Sequence, residues 1–193
     1  MVRFNLDESN GDPFYEEDYT YYGWEAKNIS KHVEYLSRFR FLKEEFMDIK
    51  EFIKLIYIWL DTIKFRIPSV EYSIEDRRYI HTALQNIAEK LRLIREIIDD
   101  AMKQVNDLPV TRHVDLMKKI DKLPDAKDKE NFNWYLYRAD SDIIGDLLRK
   151  TNILLDYADQ WEFPQDLLNK YVEDAETKIG KLEVLIDEIL KHM

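Results

Sequence analysis

Five prolines, Pro13, Pro68, Pro109, Pro124 and Pro164, fall between stretches in which apolar residues recur every three or four positions. Proline lacks the amide donor a helix interior needs, and its ring clashes with the preceding turn. The chain is therefore expected to be a set of long amphipathic helices jointed at the prolines. That pattern specifies an all-α fold, an elongated antiparallel four- or five-helix bundle with an N-terminal acidic aromatic arm.

Residues 1–23 hold no helical or strand period and end at Gly23, so they are expected to form an arm, loosely ordered or docked. Residues 24–193 are expected to be a single helical bundle domain. Its first helix, about 24–66, follows from the row Ile29, Val33, Leu36, Phe39, Leu42, Phe46, Ile49, Ile53, Ile56, Leu60 and Ile63. It ends before Pro68, which pushes Ile67 out of the α region. A second helix, about 73–108, opens with Ser73 and Asp76 in a capping-box-like arrangement and carries Ile80, Leu84, Ile87, Leu91, Ile94, Ile98, Ala101 and Val105. A short helix over about 111–122, capped by Thr111, would bury Leu116, Met117, Ile120 and Leu123. The fourth, about 128–161, has its seam broken by Asp140 and Thr151, and the fifth, about 165–191, starts behind Pro164. Residues 52–74 are rich enough in Phe, Ile, Tyr, Trp and Val for a β-hairpin, but helical spacing continues through Ile63.

With 193 residues, 45% of them hydrophobic, the chain can bury one sizeable core. It has no cysteine, which excludes disulfides, thiolate metal sites and cysteine nucleophiles. Its net charge of −10 disfavours a broad grip on nucleic acid or anionic lipid. Residues 1–25, 26–124 and 125–193 carry −6, +3 and −7, so a mildly basic middle lies between acidic flanks. No apolar run approaches the ~20 residues of a membrane span and no secretory signal is visible. The expected location is cytoplasmic, as an intracellular soluble protein. Abundant Ile, Lys and Glu are compatible with a heat-adapted or AT-rich source or a virus of such a host, which makes a virion component a second expectation.

No catalytic constellation emerges. His32, His81, His113 and His192 lie on different segments and none belongs to a Glu-x-x-His pair, so neither a metal nor any other cofactor is expected. No serine sits in a Gly-x-Ser-x-Gly elbow, and Gly11, Gly23, Gly145 and Gly180 are too scattered for a phosphate loop. Carboxylates alone can hold magnesium, as the facing Glu-x-x-Glu and Glu-x-x-Asp pairs of helical nucleotide pyrophosphohydrolases do. Glu45 with Asp48 and Glu96 with Asp99 offer such pairs, but seam positions at Ile94 and Ile98 turn Glu96 towards solvent. Asp140, inside an apolar row, is expected to reach water or pair with an arginine of a neighbouring helix. Asp142 and Asp146 are expected to face solvent.

The richest signal is surface area. Residues 52–65 carry more apolar side chains than one seam needs: Ile49, Ile53, Ile56 and Leu60 make the seam, while Phe41, Phe52, Leu55 and Trp59 make a second stripe about 90° away, with Ile58 and Phe65 beyond both. Such a helix is either central in its own fold or covered by another chain. The arm, with Phe14, Tyr15, Tyr19, Tyr21, Tyr22 and Trp24 among acids, suits docking on an apolar, mildly basic groove in its own bundle, in a second copy or in another protein. These features favour a non-enzymatic assembly or adaptor protein whose partner is another protein or itself, with a homo-oligomer expected. Direct nucleic-acid binding and membrane insertion are not expected. The alternatives are a magnesium-dependent nucleotide phosphohydrolase using the paired carboxylates, and an acidic inhibitor of a nucleic-acid-binding enzyme.

Overall fold

The computed structural model describes residues 30–108 and 126–193, with side-chain environments from Leu36 onward. The expected helix at 111–122 and the arm residues Phe14, Tyr15, Tyr19, Tyr21, Tyr22 and Trp24 lie outside the described residues. Everything described is helix or a short connection, and no strand occurs among the described residues. Residues 52–69 are helical throughout, so the β-hairpin alternative does not arise.

The first rod begins as a 3-10 helix, Ser30–Leu42, and continues as α1, Lys43–Arg66, with a 3-10 turn at Ile67–Ser69. The 3-10 stretch was expected to be α-helical. Its apolar residues are spaced by three, Leu36, Phe39 and Leu42, all fully buried, and a coil of three residues per turn aligns them on one face. From Phe46 the spacing alternates three and four and the α form takes over. Helix α2, Ile74–Asp107, is capped by Ser73, whose hydroxyl accepts from the Asp76 amide at 3.1 Å. At 1.5 Å per residue its 34 residues span about 51 Å.

The third rod is α3, Ala126–Arg138, then a π-helical turn, Ala139–Gly145, then α4, Asp146–Asp159. The last is α5, Gln165–His192, which starts behind Pro164. α1 packs against α2 on one side and α5 on the other, α2 packs against the third rod, and α4 packs against α5. The rods thus follow one another around a ring, and α1 occupies a corner of the bundle. Among the described residues α1 is flanked chiefly by α2 and α5; the reading of a central helix touched by three others plus the N-terminal arm turns in part on residues outside the described ones.

One continuous core runs through the bundle from Leu36 to Ile189. At one end Phe39 stacks on Phe132 with ring centroids 4.5 Å apart, and Phe46 approaches the same ring at 5.9 Å. Lys129 Nζ donates to the carbonyls of Asn106 and Leu108, satisfying acceptors left open where α2 ends. At the other end Arg77 donates to the Val70 and Glu71 carbonyls at 2.7 and 2.9 Å, and Gln165 donates to the Ile67 carbonyl at 3.1 Å. These bonds hold the α1–α2 and α4–α5 connections together at one end.

Candidate functional site

The inner face of α1 is filled by Phe46, Ile49, Ile53, Ile56, Leu60 and Ile63, all fully buried. Its flank towards α5 is fixed by polar contacts. Lys50 Nζ lies 2.6 Å from Asp187, Lys64 Nζ lies 3.1 Å from Glu176, and the Tyr57 hydroxyl donates to Glu183 at 3.2 Å. Partial burial, with the Glu183 carboxylate beside it, pushes the Tyr57 phenol up to about 12. The helix therefore docks with apolar side chains still unused.

The second stripe splits. Phe52 and Trp59 are half-buried and pack against the core, with Lys90 Nζ 5.7 Å from the Phe52 ring centroid. Phe41, Leu55, Ile58 and Phe65 face solvent, 46%, 39%, 58% and 82% exposed. With 100° between successive helical residues, Leu55, Ile58, Thr62 and Phe65 form a stripe nearly opposite the buried seam. Met47 is exposed close to the same line. An apolar residue in water is ordinary singly, but a stripe at helical spacing is the surface a second helix covers.

A polar cluster that sequence reasoning missed lies where α4 crosses α5. Asp146 and Lys150 stand one turn apart on α4, and Asp174 and Lys178 one turn apart on antiparallel α5. Lys150 Nζ is 2.7 Å from Asp174 and 3.0 Å from Asp146, Lys178 is 3.3 Å from Asp174, and Lys178 also pairs with Asp146. The result is a closed ring of four alternating charges. Burial pushes the Asp146 carboxyl up, but hydrogen bonds from the Lys178 and Lys150 ammoniums more than offset this and hold it below the usual carboxylate range. Beside the ring, Asp142 is buried against Arg138 at 2.6 Å; there desolvation outweighs the guanidinium and raises the carboxyl. Asp142 and Asp146 therefore do not face solvent as expected.

Asp146, the first residue of α4, is enclosed by its pairs with Lys150 and Lys178, and for Asp142 the π-turn is the reason. It inserts extra residues into the helical count, so side chains on either side of it no longer keep one 3.6-residue phase. Asp140 accepts from Arg95 Nε of α2 at 2.7 Å, the neighbouring-helix arginine expected for it. Gly145 makes room, since a β-carbon there would lie 2.8 Å from Arg95 Nη2. Thr151, the other break in the seam, is fully buried, donates to the Leu147 carbonyl and shares a 2.8 Å hydrogen bond with the buried Tyr171 hydroxyl.

Asp48, Glu96 and Asp99 point to solvent, and Glu45 is partly exposed. Among the described residues no group of three or more His, Asp or Glu side chains is placed to hold a metal ion. His81 pairs with Asp159 at 2.9 Å and His192 with Glu188 at 3.6 Å. No helix among the described residues is long and apolar enough to cross a membrane. Compared with protein-family models, with curated proteins and with solved structures, the chain matches none.

Proposed function

We propose that this chain is an assembly or adaptor protein that acts through protein–protein contacts on the outward face of α1. The observation that carries this reading is the solvent-facing row Leu55, Ile58 and Phe65 on a helix whose inner seam is already full. Large apolar and aromatic side chains on a rigid element are the usual anchors of interfaces, and each returns free energy when water is removed from it. The buried ion ring serves this function indirectly, by setting how α4 and α5 meet.

The test is gel filtration of the full chain in an extract of the cells that express it, compared with Ile58→Asp. Ile58 is exposed, so the variant keeps its fold. The wild type is expected to elute well above its 23.4 kDa mass and the variant to move towards it. Identical elution of the two would count against the reading.

A further inference from the structure

We propose that the π-turn Ala139–Gly145 is a pH-set joint of the third rod, closed while the buried Asp142 carboxyl carries a proton and opening locally when that carboxyl ionises. This device is independent of the reading of α1 as a contact surface.

The turn divides the rod between two sets of attachments. Before it, α3 is fastened to the first rod and to the end of α2: Phe132 stacks on Phe39, Asp128 pairs with Arg38 at 2.5 Å, and Lys129 Nζ donates to the last carbonyls of α2. After it, α4 is fastened to α5 through Lys150 and Asp174. The rod can therefore part at the turn without either half leaving its neighbours. Inside the turn the backbone bonds reach the fifth residue instead of the fourth, a form seldom sustained beyond one turn, and Gly145, a poor helix former, closes it.

At this weak point sits a carboxyl that is only half satisfied. Asp142 is 9% exposed; Arg138 Nη2 lies 2.6 Å from its Oδ2, while its Oδ1 is enclosed and accepts no hydrogen bond. A charged oxygen kept from water without a donor favours any rearrangement that lets water in, and a protonated carboxyl gains far less from it. The charged groups facing Asp142 are Arg138 on its own rod and Lys178 on α5, which favour ionisation, and Asp146 on α4, which opposes it. On α2, Arg95 is engaged by Asp140 at 2.7 Å. Burial outweighs the two cations and the adjacent Ser141 hydroxyl, and it raises the carboxyl above its ordinary value. The closed turn thus keeps its proton to a higher pH than the opened turn, and opening becomes easier as the pH rises between those two values. The α4–α5 ring works in a different window: Asp146 is held below its ordinary value, so the ring is already complete where Asp142 begins to ionise.

The experiment is amide hydrogen exchange on the full chain by NMR from pH 4 to pH 8, each rate divided by the intrinsic rate at that pH, with the Asp142 carboxyl carbon signal recorded in the same samples. Opening at Ile143, Ile144 and Gly145 is expected to rise by up to about tenfold per pH unit and to level off where the carboxyl signal completes its change. The amides of Leu182 and Ile186 on α5 are expected to show no such rise. Asp142→Asn cannot ionise, so in that variant the π-turn amides are expected to be indifferent to pH. A wild-type turn whose opening does not follow the Asp142 titration overturns the proposal, as does a rise shared equally by α5 or an equal rise in Asp142→Asn. Should the variant not fold, the wild-type series decides by itself, because the exchange rates and the carboxyl signal both come from it.

Discussion

Lys150 Nζ lies 2.7 Å from Asp174 Oδ2 with the lysine only 1% exposed, so a full positive charge on α4 depends on a carboxylate of α5. An ammonium in the interior is tolerated only when paired and hydrogen-bonded. Here Asp146 supplies a second partner and Lys178 completes the ring. Because the members alternate in sign along both helices, sliding α5 by one turn would set like charges against each other. The ring therefore specifies the antiparallel register of α4 and α5 more than it adds stability.

Removing one member is expected to cost more than removing a matched pair. Lys150→Ala leaves a cavity and weakens the compensation of two carboxylates, an expected loss of about 3 kcal/mol. Lys150→Met with Asp174→Leu replaces the pair by apolar volume and is expected to recover most of that loss. Urea unfolding of the three proteins measures both.

The ring also sets a pH dependence. The Asp146 carboxyl is held below its ordinary value in the fold, so its contribution is present at neutral pH and is lost as the pH falls through the carboxylate range and below. Asp142, raised by burial, works in the opposite sense: it favours the fold when protonated and loses that contribution as the pH rises above the ordinary carboxylate value. Asp146→Asn is expected to lower the melting temperature at pH 7 and to flatten its fall on acidification. Thermal melts from pH 3 to pH 7 test this.

At the end of α4, Trp161 has a φ of 64°, with its amide donating to the Ala158 carbonyl and the Glu162 amide to the Tyr157 carbonyl. This is the helix-terminating geometry usually given to glycine. Both Trp161→Gly and Trp161→Ala lose the edge-on contact with Phe163, whose ring centroid is 5.6 Å away. Only the alanine keeps the steric cost of a β-carbon in the left-handed region. The glycine variant is expected to be more stable than the alanine variant by about 1 kcal/mol in urea unfolding.

Much of this fold is legible in the residues. The four-three alternation from Ile80 to Val105, the Ser73 cap and Pro164 mark α2 and the start of α5 because each depends on local geometry alone. The 3-10 stretch was not read from the residues, because the three-residue spacing of Leu36, Phe39 and Leu42 also fits one side of a 3.6-residue period. The ion ring was harder to see. Asp146 with Lys150 and Asp174 with Lys178 resemble ordinary surface pairs until α4 and α5 are known to be antiparallel neighbours, and the π-turn shifts the helical phase so that Asp142, solvent-facing on a continuous 3.6-residue count, turns inward. On α1 the excess of apolar residues was plain, but which of them face water depended on which helices lie beside it. That is a property of the assembled bundle, and it separates Leu55, Ile58 and Phe65 from Phe52 and Trp59.

The most direct test of the outward α1 face as a contact surface is site-specific photo-crosslinking of the full chain in the cells that express it. A photoreactive side chain replaces Ile58 in one sample and Lys103, an exposed position on α2, in the other. The account predicts a discrete polypeptide adduct from position 58 and little from position 103. Equal yields from the two positions, or no adduct from position 58, would contradict it.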